Sequence, residues 1–207
     1  MKPVPRTDGG RVRIIGGRWR GTRLAVPPSP GLRPSSDRVR ETLFNWLQPT
    51  LANARVLDLF AGTGALGLEA VSRGAAHAVL VERDPGLVAS LRHTVSRLSA
   101  AEQVDVVQAE ALGWLRGQPV QFFDLAFVDP PFAGDLWQPA LELLLPSLRP
   151  GAWLYVESPV GQILRMPPEC ELYREGSTRE VRYALYRAPG RRGADTLVPD
   201  VSLAVSE

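Results

Sequence analysis

The sequence is poor in several residue types that would each point to a particular class of protein. Its 207 residues include one cysteine, two histidines and a single lysine. One cysteine cannot form an internal disulfide or a cysteine-rich zinc site, so we expect a protein of the reducing cytoplasm. No apolar run approaches the roughly 20 residues of a membrane span, and the N-terminus lacks the apolar stretch of a signal peptide. We therefore expect no membrane partner.

The charge is distributed unevenly along the chain. Residues 1–55 carry eleven basic and three acidic side chains, a net charge of +8, whereas the remainder carries 13 basic and 19 acidic side chains, a net charge of −6. A basic arm on an acidic body favours a polyanionic partner. A solvated basic tail is the alternative. Because arginine outnumbers lysine 23 to 1 throughout the chain, the choice of arginine itself proves little.

The first 50 residues predict a small basic extension. Residues 11–26 alternate basic and apolar side chains around glycines, as a twisted hairpin does, and residues 27–36 are a Pro/Ser-rich loop. A helix over 37–48, capped by Ser36 or Asp37, follows. We divide the chain into an N-terminal RNA-binding extension (1–50), a main domain (51–188) and a flexible tail (189–207). Nothing in the chain demands a partner subunit, so a monomer is expected.

From residue 55 onward, apolar strands alternate with helical segments. This order predicts an α/β fold, a Rossmann-like, mostly parallel sheet with helices on both faces. Two late strands, near 169–176 and 179–187, are joined by so short a turn that they must pair antiparallel. The sheet then has seven strands, of which the last is antiparallel. The other five are expected near 56–60, 78–82, 104–108, 122–128 and 152–157. Helices are expected between them near 64–73, 86–99, 110–116 and 136–148.

The segment VLDLFAGTGALGLEA (56–70) predicts a cofactor site. A strand ends near Asp58, and a tight turn containing Ala61, Gly62 and Gly64 leads into a helix, so that a ligand can approach the backbone. Asp58 would repel a diphosphate but attract the ammonium of an amino-acid moiety, which favours S-adenosylmethionine over NAD. A purely structural strand–helix turn is the alternative.

Two further acidic residues follow strand ends. Glu82 has the spacing of a carboxylate that accepts both hydrogen bonds from a ribose diol. Glu110 can accept from an adenine amine, but it is equally well explained as a negative charge at a helix N-terminus. Three acidic strand ends beside one glycine turn are together less expected by chance than any one alone.

The motif Asp129-Pro130-Pro131-Phe132 predicts the chemistry. The prolines fix the backbone, so the Asp129 carboxylate and the Pro130 carbonyl form a paired acceptor for both hydrogens of a planar NH₂ group. Phe132 offers a face on which the base can stack. The amine lone pair would then attack a sulfonium methyl, and the released proton could pass to Asp129 or to water. A structural turn is the alternative.

Other chemistries find no support in the sequence. Methylation at cytosine C5 needs a cysteine nucleophile beside the cofactor, and Cys170 falls in the late strand region, where a small packing residue is the better interpretation. His77 and His93 are isolated, so we expect no metal site.

These motifs resemble a known family. DLFAGTGALGLEA, Glu82 and DPPF resemble class I S-adenosylmethionine-dependent amino-methyltransferases. RIIGGRWRGTRL (13–24) and LRPSSDRVRETLFNWL (32–47) are similar to segments of the bacterial 16S ribosomal RNA (guanine-N2)-methyltransferases. The resemblance runs from about Arg11 to about Tyr186.

The resemblance implies roles for residues of this chain. Asp58, Ala61, Gly62 and Gly64 would form the methionine side of a cofactor pocket, with Glu82 at the ribose and Glu110 and Ala111 near the adenine; Asp129 to Phe132 would hold the guanine amine. Glu110 stands where the family usually has Asp. The segment 33–41 would shape the mouth of the site. The expected contacts to 16S rRNA or the small subunit come from Arg11, Arg13, Arg18, Trp19, Arg20, Arg23 and Arg38.

Two alternatives stay open at this point. Adenine presents the same NH₂ group, so a DNA adenine-N6 methyltransferase would use the same motif. A non-catalytic RNA-binding assembly factor could keep the cofactor as a structural ligand, although an intact DPPF motif speaks against it.

Overall fold

The predicted N-terminal hairpin is present. The computed structural model describes residues 12–26, 36–132 and 134–190. Strand β1 (Val12–Arg13) pairs antiparallel with β2 (Arg23–Leu24). Gly17 and Gly21, with φ of 75° and 83°, adopt the left-handed conformation in the connection, which glycine tolerates without strain. Arg11, the predicted loop up to residue 35 and the first ten residues lie outside the described residues.

Helix α1 (Asp37–Leu47) follows, and its cap is Ser36, one of the two predicted residues. The Ser36 hydroxyl accepts a hydrogen bond from the Val39 amide at 3.3 Å. The helix buries the predicted apolar stripe, in which Leu43, Phe44 and Leu47 have no exposed surface. Full burial of such side chains contributes about 1.5–3 kcal/mol each, which explains why the helix docks on the sheet. A short 3₁₀ turn, Gln48–Thr50, ends it.

A seven-stranded sheet forms the body of the protein, as predicted. Its spatial order is β5-β4-β3-β6-β7-β9-β8, and β9 is the strand that runs antiparallel to both of its neighbours. The other six strands run in one direction, so the expected topology, mostly parallel with the last strand reversed, is confirmed. The strands are β3 (Arg55–Asp58), β4 (His77–Glu82), β5 (Val104–Gln108), β6 (Phe123–Val128), β7 (Leu148–Pro159), β8 (Glu171–Ser177) and β9 (Val181–Arg187).

Helices cover both faces of the sheet. One apolar cluster joins the hairpin and helices α1, α2 (Ala65–Ser72) and α3 (Pro85–Arg97) to one face, and a second joins α4 (Ala111–Leu115) and α5 (Trp137–Leu144) to the other. Alternate residues of one strand enter the two clusters, as with Val56 and Leu57 of β3. None of the described helices is long and apolar enough to cross a membrane.

Two elements differ from the prediction by more than two residues in length. Strand β7 begins at Leu148, opposite Phe123 of β6, and extends to Pro159, which pairs with Val181 of β9. Helix α5 ends at Leu144, four residues early, and a 3₁₀ turn (Leu145–Ser147) with Pro146 inside it replaces the last helical turn. Proline has no amide hydrogen to continue an α-helical ladder, which accounts for the change.

Candidate active site

The glycine turn lies where β3 meets helix α2. Gly62 and Gly64 have φ of 53° and 75°, in the left-handed region. A Cβ on Gly64 would also lie 2.6 Å from a methyl of Leu91 on helix α3. Both the backbone conformation and the close approach of α3 therefore require glycine at residue 64. The C-terminal ends of β3 to β7 form one edge of the sheet, which we call the carboxyl edge, and this turn lies on it.

Asp58, the last residue of β3, is buried beneath the turn. Its side chain is 3% exposed, and Oδ2 accepts a hydrogen bond from the Gly67 amide at 2.9 Å. Burial raises the pKa of this carboxyl to about 7, the nearby Glu82 charge adds to the rise, and the Gly67 hydrogen bond opposes it. Among the described residues no ion pair includes Asp58, so near neutral pH it is an acidic group ready for a cation.

Glu82 closes the turn from the neighbouring strand. Its Oε2 accepts from the Gly62 amide at 2.9 Å, and its Oε1 accepts from the Asp84 amide at 2.8 Å. Two backbone amides thus fix the orientation of the carboxylate. Each oxygen keeps a second lone pair, so the group can still accept hydrogen bonds from a ligand diol. The backbone contact to Gly62 joins the two predicted cofactor elements physically.

Glu110 is the N-cap of helix α4. Its carboxylate accepts from the amides of Leu112 and Gly113 at 3.0 and 2.6 Å, and these bonds lower the pKa of this carboxyl. The structure therefore realises the helix-terminal role that the sequence allowed. Contact of Glu110 and the buried Ala111 with an adenine stays a prediction.

The DPPF motif follows the end of β6 on the carboxyl edge. Asp129 and Pro131 are half-buried and Pro130 is buried, whereas Phe132 is 36% exposed. The Phe132 ring lies 6.0 Å from the ring of the buried Trp137, at an interplanar angle of 45°. Trp137 therefore contacts the Phe132 ring, which stays partly exposed. An accessible ring beside a half-buried carboxylate is suited to holding a planar base.

The predicted site thus divides into two parts on one edge. Strand β3 pairs in parallel with both β4 and β6, so the ends that carry Asp58, Glu82 and Asp129 are adjacent. Ligands of open α/β sheets bind at this edge. The sequence alone did not indicate Tyr155 and Glu157 of β7, which lie next to the DPPF motif. The signal available was a pair of polar residues, two apart, in the otherwise apolar run 152–157.

The predicted RNA contacts at the tip of the hairpin lie away from the carboxyl edge. The tip of the hairpin is held at the C-terminal end of helix α2, where the amides of Arg18 and Trp19 donate to the Ser72 carbonyl and hydroxyl at 2.9 Å each. Helix α2 begins at the glycine turn and is about 12 Å long, so the tip lies toward the opposite edge of the sheet. Arg18 also bonds Gln103 just before β5 and lies 4.2 Å over the half-buried Trp19 ring. The side chains of Arg13, Arg20, Arg23 and Arg38 are exposed.

A buried ionic cluster fastens the hairpin to the body. Glu69 of helix α2 is fully buried and accepts from Arg40 at 3.1 Å, from Arg73 at 2.7 Å and from the Ile15 amide at 3.2 Å. Arg40 is also fully buried, and it donates to the Arg13 carbonyl and to Asp37, both at 2.8 Å. These contacts fix the described part of the hairpin and helix α1 against helix α2.

Comparison with known proteins adds an independent finding. A family model described as conserved hypothetical protein 95 matches residues 12–187. Ribosomal RNA small subunit methyltransferase D of Escherichia coli K12 is 45% identical over 202 residues, which cover 94% of this chain and 100% of the relative. The chain belongs to this family. The protein of the same name from Haemophilus influenzae is 42% identical over 86% of this chain and 94% of its own length.

The solved structures agree with this family assignment. The E. coli protein yhhF, described as a methyltransferase, superposes with a TM-score of 0.80 at 43% identity, covering 88% of this chain and all of that one. The family resemblance and the Rossmann-like methyltransferase fold predicted from the motifs are both confirmed. The matched region begins at Val12, the first described residue of the hairpin, and so includes the hairpin.

Proposed function

We propose that this protein transfers a methyl group from S-adenosylmethionine to the exocyclic N2 amine of a guanine in 16S ribosomal RNA. The observation that carries the proposal is the intact Asp129–Phe132 motif beside the acidic crevice of Asp58 and Glu82. The similarity of this chain to ribosomal RNA small subunit methyltransferase D, over nearly the whole length of both proteins, supports ribosomal RNA as the substrate class.

The crevice fits a cationic, ribose-bearing methyl donor. Asp58 carries no protein counter-ion among the described residues, and its pKa of about 7 allows it to ionise when a cation arrives. Glu82, held by two amides, has free lone pairs for a ribose diol, and Gly62 and Gly64 leave the backbone approachable. We expect Glu110 and Ala111 to lie near the adenine and Ala61 beside the methionine portion. When bound, S-adenosylmethionine supplies an electrophilic methyl group on sulfonium sulfur.

The DPPF motif would hold and activate the amine. The Asp129 carboxylate and the Pro130 carbonyl accept the two amine hydrogens and draw the nitrogen toward a tetrahedral geometry, which frees its lone pair. Phe132 stacks on the base, a contact worth about 1–3 kcal/mol, and Pro131 keeps the loop rigid. Because the base is presented to a positioned donor, orientation supplies much of the acceleration.

The RNA would extend along the side of the domain. A target base must leave its stack to reach Asp129, and RNA loops are the usual sites of such recognition. Because the hairpin tip lies toward the opposite edge, phosphate contacts at Arg18 and Arg20 would hold RNA well away from the extruded base. We infer that the extension up to residue 50 is the RNA-binding part, and that Arg11, Arg13, Arg23 and Arg38 contribute charge to it.

Methyl transfer to the predicted substrate is the decisive test. The full chain would be incubated with labelled S-adenosylmethionine and with either 16S rRNA or small subunits that lack the modification, and the nucleosides identified by mass spectrometry. We expect N2-methylguanosine from the native protein and at least a thousandfold lower rate from Asp129→Ala. Cofactor affinity of that variant, measured by calorimetry, should stay within about twofold of native.

The matched control and the contrary results are well defined. Glu102→Gln changes an exposed carboxylate just before β5 and should leave the rate unchanged. N6-methyladenine as product would favour the adenine methyltransferase, and absence of incorporation into either RNA substrate would overturn the proposal. An equal loss of cofactor affinity in Asp129→Ala would show that its assigned role is wrong.

The contribution of the N-terminal extension to RNA binding can be measured from the salt dependence of RNA affinity. Arg20→Ala removes an exposed charge at the hairpin tip, so the slope of log affinity against log salt should fall by about 1, with kcat unchanged. Arg92→Ala, an exposed arginine of helix α3, is the matched control. Equal slopes for the native protein and Arg20→Ala would remove the tip from the RNA-binding surface.

A further inference from the structure

A buried polar pair lies behind the DPPF motif, on strand β7. Tyr155 has no exposed surface and Glu157 is 3% exposed. The Tyr155 hydroxyl donates to Glu157 Oε1 at 2.7 Å, so the two side chains project from the same face of the strand. A carboxylate in such a place costs desolvation free energy, and well-packed apolar residues would serve stability as well or better. Such groups often serve function.

The strand register brings this pair to the catalytic loop. Phe127 of β6 is opposite Tyr155 and Val128 is opposite Val156, so Asp129 falls opposite Glu157. The rings of Phe127 and Tyr155 meet edge to face with centroids 6.0 Å apart, which shows that this face of the two strands is shared. Burial and then the Glu157 charge raise the pKa of Tyr155 far above its usual value, and the Asp129 charge adds to this. Tyr155 therefore stays a hydrogen-bond donor between two acidic residues.

Glu157 also contacts Trp137, the residue that packs against Phe132. Its backbone carbonyl accepts from the Trp137 indole at 2.6 Å, and Trp137 lies against Phe132. One residue of β7 is thereby connected to both functional ends of the DPPF motif, the carboxylate at its start and the aromatic ring at its end.

We propose that Glu157 is a positioning residue for methyl transfer; this inference rests on the proposed function. The Glu157 carboxylate places a negative charge next to Asp129 and fixes the Tyr155 hydroxyl beside it. The amine nitrogen forms a bond to the methyl carbon as the carbon–sulfur bond breaks, so positive charge moves from sulfur to nitrogen. The nitrogen then loses one proton to Asp129, the more exposed carboxylate, and from there to water. A fixed negative charge behind the amine favours the charged nitrogen more than the neutral one, which is how preorganised electrostatics lower a barrier.

Glu157→Gln tests this directly. Glutamine has the same shape and still accepts from Tyr155, but it carries no charge. We expect kcat to fall about tenfold to hundredfold, less than for a group touching the reacting atoms, while KM for the RNA substrate and the calorimetric Kd for S-adenosylmethionine change less than about twofold. Glu157→Asp, which keeps the charge, should recover part of kcat, and the thermal midpoint should not follow kcat.

A second variant and a control complete the experiment. Tyr155→Phe keeps the ring in the core but removes the hydroxyl, and we expect a smaller loss of kcat at unchanged KM. Glu171→Gln, at an exposed position on β8, should behave as native. Native kcat in Glu157→Gln, or a loss that follows the thermal midpoint or the cofactor Kd, would overturn the inference. If the native protein does not methylate RNA in the same assay, the proposed function fails instead.

Discussion

Two buried carboxylates, Glu69 in helix α2 and Asp58 beside it, differ in their partners. Glu69 is fully buried between two arginines and an amide, with both oxygens paired to cations. Asp58 is nearly as buried, but its hydrogen bond comes from the neutral Gly67 amide. The ordinary consequence of burial, a higher pKa, is evident for Asp58. The cation that would offset this burial is supplied by the protein at Glu69 and is left to a ligand at Asp58.

This difference indicates that Glu69 has a structural role, whereas Asp58 is available to bind a cationic ligand. Arg40 joins helix α1 and the hairpin to Glu69 of helix α2, and Arg73 pairs with Glu69 within α2, so the charge of Glu69 is committed to the fold. The crevice formed by Asp58 and Glu82 has acceptors in excess of donors, which suits a cationic ligand with hydroxyl groups. We expect the largest effect from changing Glu69, a smaller one from Asp58 and the smallest from the exposed Glu110.

Neutralising Glu69 should have the largest effect on stability. Glu69→Gln leaves the fully buried Arg40 without its buried counter-charge, and breaking a buried pair on one side costs about 3–5 kcal/mol. Urea unfolding followed by circular dichroism measures this change in the free energy of unfolding. Glu102→Gln, at an exposed site, should change it by less than about 0.5 kcal/mol. A loss below 1 kcal/mol for Glu69→Gln would contradict the structural role.

Asp58 should make stability depend on pH in the opposite sense to a paired carboxylate. Its pKa rises from 3.8 to about 7 on folding, so the folded state holds the proton more tightly than the unfolded state. The free energy of unfolding of the ligand-free protein should therefore fall as pH rises from about 4 to about 7, by up to about 4 kcal/mol from this group, and then level off. Asp58→Asn should lose this decline, as unfolding at several pH values would show. An unchanged profile would refute the assignment.

The same titration should appear in ligand binding. A cation beside Asp58 favours its ionised form, so binding of S-adenosylmethionine below about pH 7 should release a proton and strengthen as pH rises toward 7. Calorimetry in buffers of different ionisation enthalpy measures the released proton. Asp58→Asn should bind more weakly and release less. Equal proton release by the native protein and the variant would place the ligand charge elsewhere.

The smallest effect is expected at the exposed Glu110. Glu110→Ala removes the N-cap of helix α4, which costs about 1 kcal/mol. Because hydrogen bonds to Leu112 and Gly113 lower its pKa, this stability is present above its ordinary value of 4.5 and is lost as pH falls through the lowered one. Glu110→Gln should lose less than Glu110→Ala. A variant that binds the cofactor normally would leave Glu110 as a cap alone.

Much of the architecture was predictable from periodicity. The apolar runs that predicted the strands reappear within a few residues, and the glycine turn lies where β3 meets α2. Both features depend on residues close together in the chain, because alternation and turn conformations are local. The extra length of β7 was not predictable, because it depends on pairing with Phe123 of β6 at its start and with β9 at its end, both more than 20 residues away.

The buried charges were the harder part. Arg40 was counted in the basic arm, although it precedes Leu43, Phe44 and Leu47 by three, four and seven residues and so shares their helix face. Its partner Glu69 lies 29 residues along the chain, and nothing local indicates such a pair. The two interpretations of Glu110 were equally open in sequence, and the distances to Leu112 and Gly113 show that the capping role is present.

The position of β9 has a consequence for the newly made chain. This strand inserts between β7 and β8, although it is the last of the three to be synthesised. Until residues 181–187 have left the ribosome, the sheet ends in the long, largely apolar strand β7, whose free amides and carbonyls could pair with another chain. A truncation before Val181 would preserve every proposed catalytic residue and yet produce an aggregation-prone protein.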